Sequence, residues 1–257
     1  MPEFTAAFAA SLAIVFGAGI VRGFAGFGFS ALCVAGLSLF MPPQEVVPAI
    51  FVLEVLASLT LLKEAWRDAD TRWLGWLVLG NALCIPLGVA LLAFLPETPL
   101  RLCIGALLLV AAVLLRSGFS AGLEPSTGVR LATGLVSGFV NGVAAIGGIA
   151  VAVLMSTTSL APAVMRATMI ALFLFTDLYA LIWSALMPAT GPSAEGLLGV
   201  DTLWRAAAWA PAMLLGIAVG RRFFAGVDPQ RFRQRVLELL IGIAALSVLR
   251  ALVEVLR

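Results

Sequence analysis

The chain contains no histidine. That gap removes HExxH metalloprotease chemistry, histidine-held zinc and every nucleophile that relies on an imidazole base. Cysteine is scarce as well. Cys33, Cys84 and Cys103 each sit in an apolar run, far apart. They form neither a disulfide framework nor a metal-ligand spacing, so packing is their natural role. Charge is the third shortage. Only 12% of the 257 residues are Asp, Glu, Lys or Arg, and 62% are hydrophobic, whereas a soluble domain carries about 25% charged residues. No Walker loop is present, so the chain does not itself hydrolyse ATP. Nothing calls for a cofactor, a metal or a nucleic-acid partner.

What remains is a polytopic membrane protein, all-α, with the lipid bilayer as its main partner. Its length allows about eight to ten membrane segments of ~20 residues with short loops. The start, Met1-Pro2-Glu3-Phe4, lacks the basic region of a signal peptide, so the first apolar run is expected to be retained. Apolar segments fall at 5–21 and 28–41, 44–62, 73–95 and 99–116, then at 130–142 and 145–158, 163–187, 202–220 and 232–256. A polar linker with Gly118, Gly122, Glu124, Pro125 and Gly128 separates two halves: a first repeat over 1–116, a cytoplasmic linker over 117–129 and a second repeat over 130–257.

Glycine is abundant where lipid-facing sequence should avoid it. Gly17, Gly19, Gly23, Gly26 and Gly28 crowd the first half, and Gly134, Gly138, Gly142, Gly147 and Gly148 the second. The stretch Gly19-Ile20-Val21-Arg22-Gly23-Phe24 matches Gly134-Leu135-Val136-Ser137-Gly138-Phe139. Pro43 and its span match Pro162 and its span, so the order repeats. Broken backbone persists in a membrane only where it is buried in protein or lines a cavity. A pair of breaks in corresponding positions points to a transporter's binding site.

Lys63, Arg67 and Arg72, the linker-flanking Arg116 and Arg130, and the arginines from Arg221 to Arg235 place three loops in the cytoplasm. The loops 96–100 and 188–201 carry no Lys or Arg and go outside. The two repeats are then inverted, each a broken, re-entrant helical hairpin plus three transmembrane helices, with both termini outside. Two thin full spans in place of each hairpin give the same topology. The six tryptophans fall mostly near span ends, as an interfacial belt does.

Arg22 stands at the first break. An intramembrane cation beside half-helix N-termini makes an anion site; snorkelling to an interface is its other use. Gly23, Gly26, Gly28 and Ser30 are expected to line the same site, with Ser137, Asn141, Gly147 and Gly148 facing them from the second break. Gly23 and Gly138 can equally serve close helix packing. Arg166, one turn into its span, meets anions at the cytoplasmic mouth or acts as an anchor. Glu54 and Asp177 lie mid-span in matched helices. A carboxylate there costs several kcal/mol unless paired or protonated, which makes both candidates for proton coupling; a salt bridge from Glu54 to Arg22 is the alternative.

The pattern Gly19-x3-Gly23-x2-Gly26-Phe27-Gly28, its second copy Gly134-x3-Gly138 with Gly147-Gly148, and Pro162-x3-Arg166-x-Thr168 resemble the TauE/SafE sulfite exporter family along nearly the whole chain. The resemblance implies transport of small sulfur-containing anions, such as sulfite or organosulfonates, across the bacterial inner membrane. The reading is a secondary transporter of small anions, an exporter that is proton-coupled through Glu54 and Asp177. A passive anion channel or an uptake permease for sulfonates or carboxylates stays open beside it, as does the oligomeric state. An intramembrane enzyme would have only the two carboxylates and the cysteines to work with.

Overall fold

The computed structural model describes residues 6–117, 126–156, 161–187, 196–223 and 229–255. Among them are ten helices and no strand: α1 (Ala6–Ala25), α2 (Phe29–Leu37), α3 (Pro43–Ala65), α4 (Thr71–Phe94), α5 (Glu97–Arg116), α6 (Thr127–Ala144), α7 (Gly148–Ser156), α8 (Pro162–Leu186), α9 (Val200–Phe223) and α10 (Pro229–Val255). Six of them, α1, α3, α4, α5, α8 and α9, are long and apolar enough to cross a membrane. The order of one long helix, one nine-residue helix and three long helices runs twice. Most of the expected linker, 118–125, lies outside the described residues.

Local chemistry sets the ends. Pro42 and Pro43 open α3, where a missing N–H is no loss. The Asp70 carboxylate accepts hydrogen bonds from the Arg72 and Trp73 N–H groups and caps α4. The Ser126 hydroxyl accepts from Val129 N–H and starts α6, three residues before the expected start at 130.

The breaks lie later than the glycine clusters suggested. Helix α1 continues through Gly17, Gly19 and Gly23 to Ala25. The chain then turns at Gly26 (φ +80°) and Gly28 (φ +91°), a left-handed backbone that only glycine adopts at little cost. In the second half α6 runs through Gly134, Gly138 and Gly142. The turn there comes at Ala145, the only non-glycine residue with positive φ (57°) among the described residues. The hairpins are therefore unequal: one arm of 20 or 18 residues and one of nine, rather than two arms of similar length.

The helical glycines serve packing. Helix α1 lies on α9 and α6 lies on α4, so each broken helix rests on the fourth helix of the other half. A methyl group at Gly19 would stand 2.6 Å from the Met213 carbonyl oxygen, and one at Gly80 would stand 2.6 Å from that of Leu131. Small residues let these backbones touch, as membrane interfaces require. Helices α3 and α8 pair at the centre, and α5 pairs with α10. Trp66, Trp76 and Trp204 are exposed, as a tryptophan belt requires. Trp209 departs from it: it is buried, and its indole N–H donates to Ser11 Oγ at 3.0 Å. Trp73 is also buried, under the Arg130 guanidinium.

Candidate functional site

Glu54 stands eleven residues from each end of α3, about 16 Å along the axis from either end at ~1.5 Å per residue. That is close to the middle of a ~30 Å hydrocarbon layer. Phe173 is eleven residues into α8 and thirteen from its end, at a similar height. The two breaks converge on this level.

At the first break the Arg22 side chain is fully buried. Its Nη1 donates to the Gly26 carbonyl at 3.0 Å and its Nη2 to Ser58 Oγ at 3.0 Å. Nη2 also lies 3.0 Å from Glu54 Oε2. The other carboxylate oxygen of Glu54 accepts the Ser30 N–H at 3.3 Å. Ser30 is the second residue of α2, whose N-cap, Gly28, has no side chain to offer. Glu54 thus caps α2 from a neighbouring helix. Arg166 reaches the same turn from α8: its Nη2 donates to the Gly23 carbonyl at 3.4 Å, and its aliphatic stem fills the space beside Gly26, where a methyl group would come within 2.8 Å of Cγ. Two cations therefore meet the last turn of α1 and the break that follows it.

The second break carries its own cap. Asn141 Oδ1 accepts the Gly147 N–H at 3.3 Å, and its Nδ2 donates to Asp177 Oδ1 at 2.9 Å. Ser137 Oγ donates to Asn81 Oδ1 of α4 at 3.2 Å. Gly147 is pressed against Ser137 and Asn141, with no room for a side chain.

Phe173 joins the two breaks. The Arg22 guanidinium carbon lies 4.6 Å from the centroid of its ring, within the range of a cation–π contact. Any side chain at Gly148 would overlap the same ring. Asp177 follows Phe173 by one helical turn and lies within electrostatic reach of both Arg22 and Glu54.

A family model described as sulfite exporter TauE/SafE matches residues 11–247. The chain belongs to the TauE/SafE sulfite exporter family. It is 26% identical over 236 residues to a protein of Cupriavidus necator (strain ATCC 17699) described as "Probable sulfite/organosulfonate exporter TauE", a match covering 88% of each chain. No solved structure matches it.

In this TauE/SafE chain, Arg22, Gly26, Gly28, Ser30, Glu54 and Arg166 gather at the first break, and Ser137, Asn141, Gly147, Gly148 and Asp177 at the second. Gly23 differs. It packs on the Ile217 backbone of α9 and offers only its carbonyl to the site. The salt bridge between Glu54 and Arg22, left open in the sequence, is present. Ser30 contributes its backbone N–H, which donates to Glu54. Thr176 hydrogen-bonds within its own helix, and Thr168 donates to the Val164 carbonyl of its helix while accepting the Asp70 N–H at the start of α4. Ser58 and Phe173 were not foreseen. Both stand one turn from an expected residue, Ser58 after Glu54 and Phe173 before Asp177, so helical spacing carried the signal.

Proposed function

We propose that this protein is a secondary transporter exporting small sulfur-containing oxyanions, such as sulfite or organosulfonates, across the bacterial inner membrane. One observation carries the reading: the two chain breaks, each with a helix N-terminus, meet across Phe173, with Arg22 against its ring and Arg166 at the first break. Helix N-termini and guanidinium groups suit oxyanions. The name of the Cupriavidus relative agrees with this substrate class. The exchanged packing of α1 on α9 and α6 on α4 supports two inverted repeats, with both termini outside as the arginine distribution directs. Burial of Arg22, Glu54, Asn141 and Asp177 supports a carrier with a closed centre over an open pore. Glu54 and Asp177 serve as the proton-linked carboxylates.

The test is flux from proteoliposomes loaded with sulfite or sulfoacetate. Arg22→Ala is expected to abolish it while the purified protein stays monodisperse. Undiminished flux in that variant removes Arg22 from the transport site.

A further inference from the structure

A helix N-terminus and an arginine normally hold a bound oxyanion between them. Here a side chain of the protein holds that place. One oxygen of Glu54 accepts the Ser30 N–H at the start of α2, and the other lies against Arg22 Nη2. The fit is incomplete. Arg22 Nε is buried without a hydrogen-bond partner, and Glu54 Oε2 meets the guanidinium as an ion pair without accepting a hydrogen bond. A donor remains for a group with more oxygens than a carboxylate, and a sulfonate or sulfite has three. The charges agree. Arg22 and Glu54 pair as one cation with one carboxylate.

We propose that Glu54 is the resident occupant of the oxyanion site, and that the transported anion and the Glu54 carboxylate exclude each other. This rests on the anion-transport reading. When a proton adds to a Glu54 carboxylate oxygen, the ion pair with Arg22 is lost. Arg22 and the α2 N-terminus become available, and the anion replaces the carboxylate as counter-charge. No covalent bond other than that O–H changes. One proton enters with each unit of anionic charge, and the site stays neutral whether closed or loaded.

The titratable and charged groups facing Glu54 are few. They are Arg22 from α1, the Cys33 thiol from α2 and Asp177 from α8, while Arg166 of α8 lies beside Gly26. On the other helices packed against α3, the described charges stand within the first two turns or the last turn: Asp70 and Arg72 at α4, Glu97, Arg101 and Arg116 on α5, Arg130 on α6, and Asp201, Arg205, Arg221 and Arg222 on α9.

Ethanesulfonate, whose single charge does not titrate in this range, is the probe. Its affinity for the full-length purified protein is measured by calorimetry from about pH 5 to about pH 8. Wild-type protein is expected to bind more weakly as pH rises. Glu54→Gln is expected to bind at about pH 8 about 5- to 150-fold more tightly than wild type, the usual range of coupling between two ligands, and to lose the pH dependence. Should Glu54→Gln not fold, Glu54→Asp keeps a titrating group but withdraws it from the Ser30 N–H. It should retain the pH dependence and bind more tightly than wild type at the higher pH. Equal affinity of wild type and Glu54→Gln, or an unchanged pH dependence in Glu54→Gln, overturns the proposal while leaving anion transport standing. If neither ethanesulfonate nor sulfite binds any of these proteins at any pH, the transport reading falls with it.

Discussion

The close approach of helices across the two halves can be measured with four alanine substitutions. Gly17 and Gly19 lie two residues apart on α1, and Gly75 and Gly80 lie five apart on α4. A methyl at Gly17 or Gly75 meets nothing within 4 Å. A methyl at Gly19 or Gly80 would lie 2.6 Å from a carbonyl oxygen of the facing helix, and at Gly80 also 2.6 Å from the Leu135 nitrogen. Ordinary contact needs about 3.5 Å, so the helices must part by about 0.9 Å along their glycine seam. The open sites should gain about 0.5–1 kcal/mol from helix propensity alone. The closed sites should lose about 1–3 kcal/mol to overpacking. Within each helix the two variants therefore differ by about 1.5–4 kcal/mol. At about 2–4 °C per kcal/mol for a chain of this length, the melting temperatures separate by several degrees. Tryptophan fluorescence on heating the detergent-solubilised protein reads this directly, since Trp209 is buried on α9 itself. If Gly19→Ala melts with Gly17→Ala, and Gly80→Ala with Gly75→Ala, the backbones are not in contact and the packing described above is wrong.

Other outcomes follow from single contacts. Gly148→Ala should drive the Phe173 ring aside and cut flux by about a hundredfold, as misplacements near 1 Å do at reacting centres; adding Phe173→Leu should recover part of it, and no recovery would separate Gly148 from Phe173. Arg101 donates to the Ser38 and Met41 carbonyls after α2 at 2.8 and 3.3 Å. Arg101→Ala should cost about 1–3 kcal/mol by orphaning them, read as a lower melting temperature with anion affinity unchanged. Asp70→Ala removes the α4 cap and should cost about 1 kcal/mol in the same assay; an unchanged melting temperature would refute the cap.

The segments were legible because lipid imposes a strong compositional rule, and the ten helices fall where apolar runs were expected. The glycine clusters were the hard part. Gly19, Gly23, Gly134 and Gly138 looked like broken backbone, because a glycine that admits a neighbouring helix and one that turns the chain share the same letter. Only the facing helix distinguishes them, and for Gly19 it lies nearly 200 residues away. Ala145 shows the converse, since its left-handed turn carries no glycine to announce it. Arg22, Glu54, Asn141 and Asp177 stood out because a charge or amide in apolar sequence needs a reason. Phe173 did not, because a phenylalanine in an apolar helix needs none.

The exchanged seams also bear on the order of assembly during synthesis. Helix α6 emerges after its partner α4 is already made and can dock at once. Helix α1 precedes both, yet its glycine face has no seat until α9 follows. Through that interval one seam is complete while the other waits, so a chain stopped short of α9 leaves the glycine face of α1 uncovered.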